Sequence, residues 1–120
     1  MNFNFSQQKE MVFCIKEKEQ TSFLKYHEIL WFECDGNVVK IFTTNDNTPV
    51  SYTNSLLSIE KRLSSFGFLR INHHKIINMA HVKNINSRKR EITLSNKGIH
   101  PVSRRKWPKI IEFLQFLITT

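Results

Sequence analysis

Asn72, His73, His74 and Lys75 are four consecutive side chains that can each donate a hydrogen bond, and one carries a fixed positive charge. Arg70 precedes them and Asn78 closes the run. Such a donor-rich segment suits a ligand rich in acceptors, and nucleic acid is the obvious one. A second cluster is Ser103-Arg-Arg-Lys106, which sets Arg104, Arg105 and Lys106 in succession. Catalysis finds less support. The chain has no GxSxG, no phosphate-binding glycine loop and no CxxC, and Glu91 and Glu112 are the only carboxylates among residues 61–120. His73 and His74 are adjacent, so on a strand they point to opposite faces and share no metal unless His81 converges on them. No enzyme activity, cofactor or metal site is expected.

The elements that must position these residues are mostly strands. The central run Phe66–Asn78 reads as a strand that opens into the donor-rich loop and re-enters the core through Ile76 and Ile77. Upstream, 11–16, 22–26, 29–33, 38–44 and 50–53 are short runs rich in β-formers. Asp35-Gly36-Asn37 is a tight-turn signal between two of them, and a further turn is expected over 45–49. Leu56, Ile59 and Leu63 have helical spacing, with Asn54 or Ser55 as cap and Ser64, Ser65 and Gly67 as terminator. Downstream, 81–86 and 90–95 alternate with period two around a basic tip, Ser87-Arg-Lys89, and a turn at 96–98 leads to a strand over 99–102. Trp107, Ile110, Ile111, Leu114, Leu117 and Ile118 predict a final helix, starting either at Ser103 as cap or at Pro108 in the first helical position. The fold class is mainly β, about ten short strands and two helices. Residues 1–10 read as a flexible N-terminus and 11–120 as one domain.

Most of these residues also have a structural role open to them. Trp31, Phe32, Phe68 and Trp107 have apolar neighbours and are expected in the core. Cys14 and Cys34 read as buried thiols rather than a disulfide or metal site. Asn78 is expected to stabilise a turn, as Asn72 also can. His74 fits either an exposed donor or a packed ring, and Arg104 and Arg105 fit either contacts or solvated charges at a helix start. Charge separates the halves of the chain. Residues 1–60 hold five Lys and Arg against eight Asp and Glu, a net −3, and residues 61–120 hold thirteen against two, a net +11. The basic half suggests a polyanionic partner. No apolar run approaches membrane-spanning length, and the first residues lack the blocks of a signal peptide. A cytoplasmic protein is expected, with no membrane partner.

Phe68-Leu-Arg-Ile-Asn-His-His-Lys-Ile-Ile-Asn78 resembles the signature of the LytTR-type DNA-binding domain of bacterial transcription regulators, roughly Phe-x-Arg-x-His-Arg/Asn-Ser-Phe/Tyr-Leu/Val-Val-Asn. Ile29-Leu-Trp-Phe-Glu33, Ser55-Leu-Leu-x-Ile-Glu-x-x-Leu63 and Ile99-His-Pro-Val-Ser-Arg104 resemble its other segments in the same order, so the likeness spans about residues 11–118. It implies an elongated fold of short antiparallel β-sheets with flanking helices, whose loops rather than a recognition helix enter the major groove of double-stranded DNA. It implies three contact regions, Asn37 to Lys40, Asn72 to Lys75, and Arg104 with Arg105. The chain departs from the signature at Asn72, His74 and Lys75, and carries Val39 where the family often has a polar reader, so base preference does not carry over. Base-edge contacts are expected from Asn37, Asn72, His73 and Arg104, with His74 as a further loop donor. Phosphate contacts are expected from Lys40, Arg70, Lys75, Lys83, Arg105 and Lys106. The family usually follows a receiver domain and binds paired sites as dimers. These 120 residues leave no room for a receiver and show no dimerisation helix, so either a free-standing regulator or a close relative acting without phosphorylation is expected. The rival is a basic interaction module that binds an acidic protein and no DNA.

Overall fold

The computed structural model describes residues 5–45, 49–52, 54–95 and 98–119. Among them, ten strands and two α-helices follow one another in the expected order. The strands are β1 Val12–Lys16, β2 Thr21–Lys25, β3 Ile29–Asp35, β4 Val38–Thr43 and β5 Val50–Tyr52, then β6 Phe68–Asn72, β7 Lys75–Asn78, β8 Val82–Asn86, β9 Glu91–Leu94 and β10 Ile99–Pro101. The helices are α1 Leu56–Leu63 and α2 Trp107–Thr119. Of the turns expected over 45–49 and 96–98, residues 46–48 and 96–97 lie outside the described residues, as does the expected strand end at 53. Extents of 46 × 30 × 26 Å make the molecule elongated, as the resemblance implied.

All pairing is antiparallel, in sheets ordered β1-β2, β10-β9-β8 and β5-β4-β3-β7-β6. The five-stranded sheet is the middle layer, because side chains alternate across it and both faces are apolar. Phe68 and Ile76 enter one core with Phe13, Phe32, Ile59 and Leu63, beneath the β1-β2 hairpin and α1. Leu69, Ile71 and Ile77 enter the other, with Ile92, Leu94, Ile110 and Phe113 beneath the three-stranded sheet and α2. Alternation lets β3 serve both cores, and a bulge between Ile29 and Trp31 sends Leu30 and Trp31 to the same side. Phe32 and Phe68 are fully buried, and truncating either to alanine would cost about 3–5 kcal/mol.

The expected helix stops and starts are present. Ser55 Oγ accepts from the Ser58 amide and caps α1. After a 3-10 turn, Gly67 ends that segment at φ 90°, and the Phe5 ring occupies the place a Cβ would take. Phe5 belongs to a short 3-10 helix, Phe5–Lys9, within the stretch read as a flexible N-terminus, of which residues 1–4 lie outside the described residues. Gln8 is buried there because its amide exchanges two hydrogen bonds with the Asn78 amide, and it also donates to the Phe66 carbonyl. Asn78 has the expected turn role, accepting from the Ala80 amide, and also donates to the carbonyls of Tyr26 and Ile29. The cysteines differ from expectation. Cys14 is exposed, since alternation on β1 turns Phe13 and Ile15 inward and Cys14 out, and Cys34 is half-buried near the β3-β4 turn.

Candidate nucleic-acid interface

The donor-rich loop is a tight turn between β6 and β7, with His73 and His74 exposed at its tip and their rings edge to face at 4.9 Å. Its backbone is held from three sides. Asn72 Oδ1 accepts from the His74 amide at 2.8 Å, an Asx-type turn. Arg70 lies beneath, donating from Nη2 to the His73 carbonyl at 2.8 Å and from Nε to the Asn72 carbonyl, while Nη1 meets Glu60 Oε1 of α1 at 3.4 Å. The His74 carbonyl accepts from the Cys34 amide at 2.8 Å, which ties the tip to β3. The arrangement frees the imidazoles and occupies the groups around them.

Lys75 is also occupied. Its ammonium sits 3.4 Å from Glu33 Oε1 and 3.1 Å from Nδ1 of the buried His100, about 6.0 Å above the Trp31 ring. An ammonium only donates, so Nδ1 of His100 accepts there. Arg70 and Lys75 each leave only 17% of the side chain exposed, and both face carboxylates, so they shape the loop more than they present charge.

Beside the tip, the β3-β4 turn brings Asn37 to an open cleft of about 800 Å³ that Asn54, Leu57, Arg70, His73 and His74 also line. Lys40 points back to Asp35, with Nζ 2.9 Å from Oδ2, and that hydrogen bond raises its pKa above the ordinary lysine value. Val39, the position where a polar reader was noted as missing, is a core residue at 1% exposure.

On the other side lies the approach to α2. Asn72 Nδ2 donates to the Pro101 carbonyl at 3.0 Å, and the Ser103 amide donates to the Ile71 carbonyl at 2.9 Å. Ser103 Oγ accepts from the Lys106 amide, and its carbonyl accepts from Lys106 and Trp107. Ser103 therefore caps a leading turn over 104–106, and the regular helix begins at Trp107, with Pro108 in its first turn where no amide hydrogen is required. Arg104 and Arg105 are exposed on that turn and Lys106 is half-buried. The three expected regions thus converge, joined through the backbone carbonyls of Ile71 and His74 and the side chain of Asn72.

Lys83 does not join them. It lies on β8, the strand of its sheet farthest from β10, and borders a groove with Ile85, Phe113 and Leu117. His81 is committed elsewhere, its Nε2 2.6 Å from the His27 carbonyl, so that nitrogen donates. Among the described residues no three metal-ligating side chains gather. The residues that sequence reading passed over are Arg88, Lys89 and Arg90 at the β8-β9 tip. Their basic run was visible, but its place beside the α2 approach depends on the Arg90 carbonyl accepting from the Val102 amide at 2.8 Å.

The family model of the LytTr DNA-binding domain matches residues 19–115, which takes in every region of this face. Among solved structures, the LytTr DNA-binding domain of a Bacillus cereus protein described as a methyl-accepting/DNA response regulator is similar with a TM-score of 0.72. The likeness covers 86% of this chain and 95% of that one at 18% identity, and so speaks for the fold. No curated protein sequence matches the chain. With its signature loop, flanking strands and α2 approach all inside the matched span, the chain belongs to the LytTr DNA-binding domain family.

Proposed function

We propose that the domain binds double-stranded DNA sequence-selectively as a transcriptional regulator in the cytoplasm, reading the major groove through its loops. The observation that carries this reading is the locked β6-β7 tip, which presents His73 and His74 beside Arg104 and Arg105. Rigid donors of this kind read base edges without the ordering cost of a free loop. His73, His74, Asn37 and Arg104 are the base-edge candidates. Arg105 and Lys106 hold phosphate. Asn72, Arg70 and Lys75 position the loop, and Lys40 is tied to Asp35. Binding to paired sites as two domains is part of the same proposal, read out as cooperative shifts on duplexes carrying two copies of the selected site. The acidic-protein reading has no comparable feature behind it.

Selection from random duplex DNA, followed by affinity measurements against salt, tests the proposal. With Arg105 and Lys106 neutralising two phosphates, log K should fall with log salt at a slope of about −1.8 or steeper. Arg104→Ala should flatten the preference at one or two base pairs, since a bidentate arginine contact to guanine supplies about 1–3 kcal/mol of discrimination. Lys83→Ala, remote from the loop, should leave both profile and slope unchanged. A shallow slope on selected and scrambled duplex alike would refute the DNA reading and favour an acidic protein partner.

A further inference from the structure

The β8-β9 hairpin tip sits against the same face and has no role in the reading above. Its residues Ser87–Arg90 form a four-residue turn in which Asn86 Oδ1 accepts from the Lys89 amide at 3.0 Å. That bond stiffens the turn. β10 ends between this tip and the central loop, for the Val102 amide is bonded to the Arg90 carbonyl and the Pro101 carbonyl to the Asn72 side chain. Arg88 and Lys89 are exposed, as are Arg104 and Arg105 across the end of β10. Among the described residues none of these four cations is in an ion pair with a carboxylate. Four unneutralised charges on one edge repel one another in the free protein.

Arg90 adds a second cost. It is the only described non-glycine residue at positive φ, 53°, a conformation that a long L side chain rarely adopts. Its Nε is buried without a hydrogen-bond partner. Asparagine or glycine would suit the backbone better. Neither feature favours the fold, and the turn so formed leaves Arg88 and Lys89 exposed beside the loop face.

The geometry points to a second DNA-backbone contact at this tip, in which Arg88, Lys89 and Arg90 hold phosphates flanking the groove that the His73-His74 loop enters. The contact rests on the DNA reading proposed above. It carries no base information, so it widens the footprint and raises affinity without altering the preferred sequence. DNA is favoured over an acidic peptide because the tip continues a row of cations already assigned to one duplex.

The test compares wild type with Arg88→Ser/Lys89→Ser on the selected duplex across about 50–200 mM salt, with hydroxyl-radical footprints of both. Losing two phosphate contacts should make the salt slope shallower by about 1.8, so that the wild-type advantage shrinks about tenfold across that range. The selected sequence should be unchanged, and protection should be lost at one flank of the site. Arg90→Asn provides a second readout. It should raise Tm by about 2–5 °C while weakening DNA binding, a pairing that a structural role for Arg90 would not produce. A steep wild-type slope shared by the double variant, with an unchanged footprint, would overturn the tip contact and leave the DNA reading standing. A shallow wild-type slope would overturn both.

Discussion

Replacing Asn72 with alanine distinguishes a residue that reads DNA from one that holds a reader in place. The side chain makes two bonds, accepting from the His74 amide at 2.8 Å and donating to the Pro101 carbonyl at 3.0 Å. Both partners are near solvent, so water replaces the lost bonds in part, and the stability cost should be about 1–2 kcal/mol, visible in urea unfolding. The larger effect falls on binding. Without the Asx-type bond the His73-His74 backbone samples more conformations, and re-ordering two residues on DNA costs roughly 2 kcal/mol or more. Affinity should drop by about 30-fold on every sequence, with the selected sequence intact. Asn72→Asp retains the acceptor for His74 but sets a carboxylate against the Pro101 carbonyl and near the DNA, and should bind more weakly still. If Asn72→Ala instead flattens the preference at one base pair and leaves urea stability unchanged, Asn72 is a base reader and the positioning argument fails.

Other perturbations follow from the same geometry. Asn78→Ala should destabilise the domain by about 3 kcal/mol or more in urea unfolding, because it strands the buried Gln8 amide and the Tyr26 and Ile29 carbonyls. A loss under about 1 kcal/mol would mean water replaces it. Tyr26 is buried, and that desolvation raises its pKa above the ordinary 10.0, partly opposed by the Arg62 charge. The folded state therefore keeps the phenol proton longer than the unfolded chain. Its stabilising share is complete below pH 10 and is lost as pH rises through the folded value. Tyr26→Phe should flatten this alkaline decline in Tm, and an unchanged decline would assign it to another group.

Much of the layout was legible in the sequence, because local rules decide it. Period-two runs set the strands, Ser55 and Leu56, Ile59 and Leu63 set α1, and the signature from Phe68 to Asn78 marked the central hairpin with its exposed turn. The order of elements was readable because hydrophobic periodicity and turn chemistry act over a few residues. The packing of residues 5–9 was not legible, because the burial of Gln8 depends on Asn78, seventy positions away.

Which donors remain available was decided by tertiary structure. Arg70, Asn72 and Lys75 are as polar in the sequence as His73 and Arg104, yet Glu60, Pro101, Glu33 and His100 occupy them from other strands and from α1. Lys83 and Arg88 lie on the same hairpin, and only the pairing of β10 with β9 brings one end of that hairpin to the loop and leaves β8 on the outside. Residue type determines what a side chain can donate. Long-range pairing determines whether it still has anything left to donate, because each hydrogen bond made inside the fold is one withheld from the ligand.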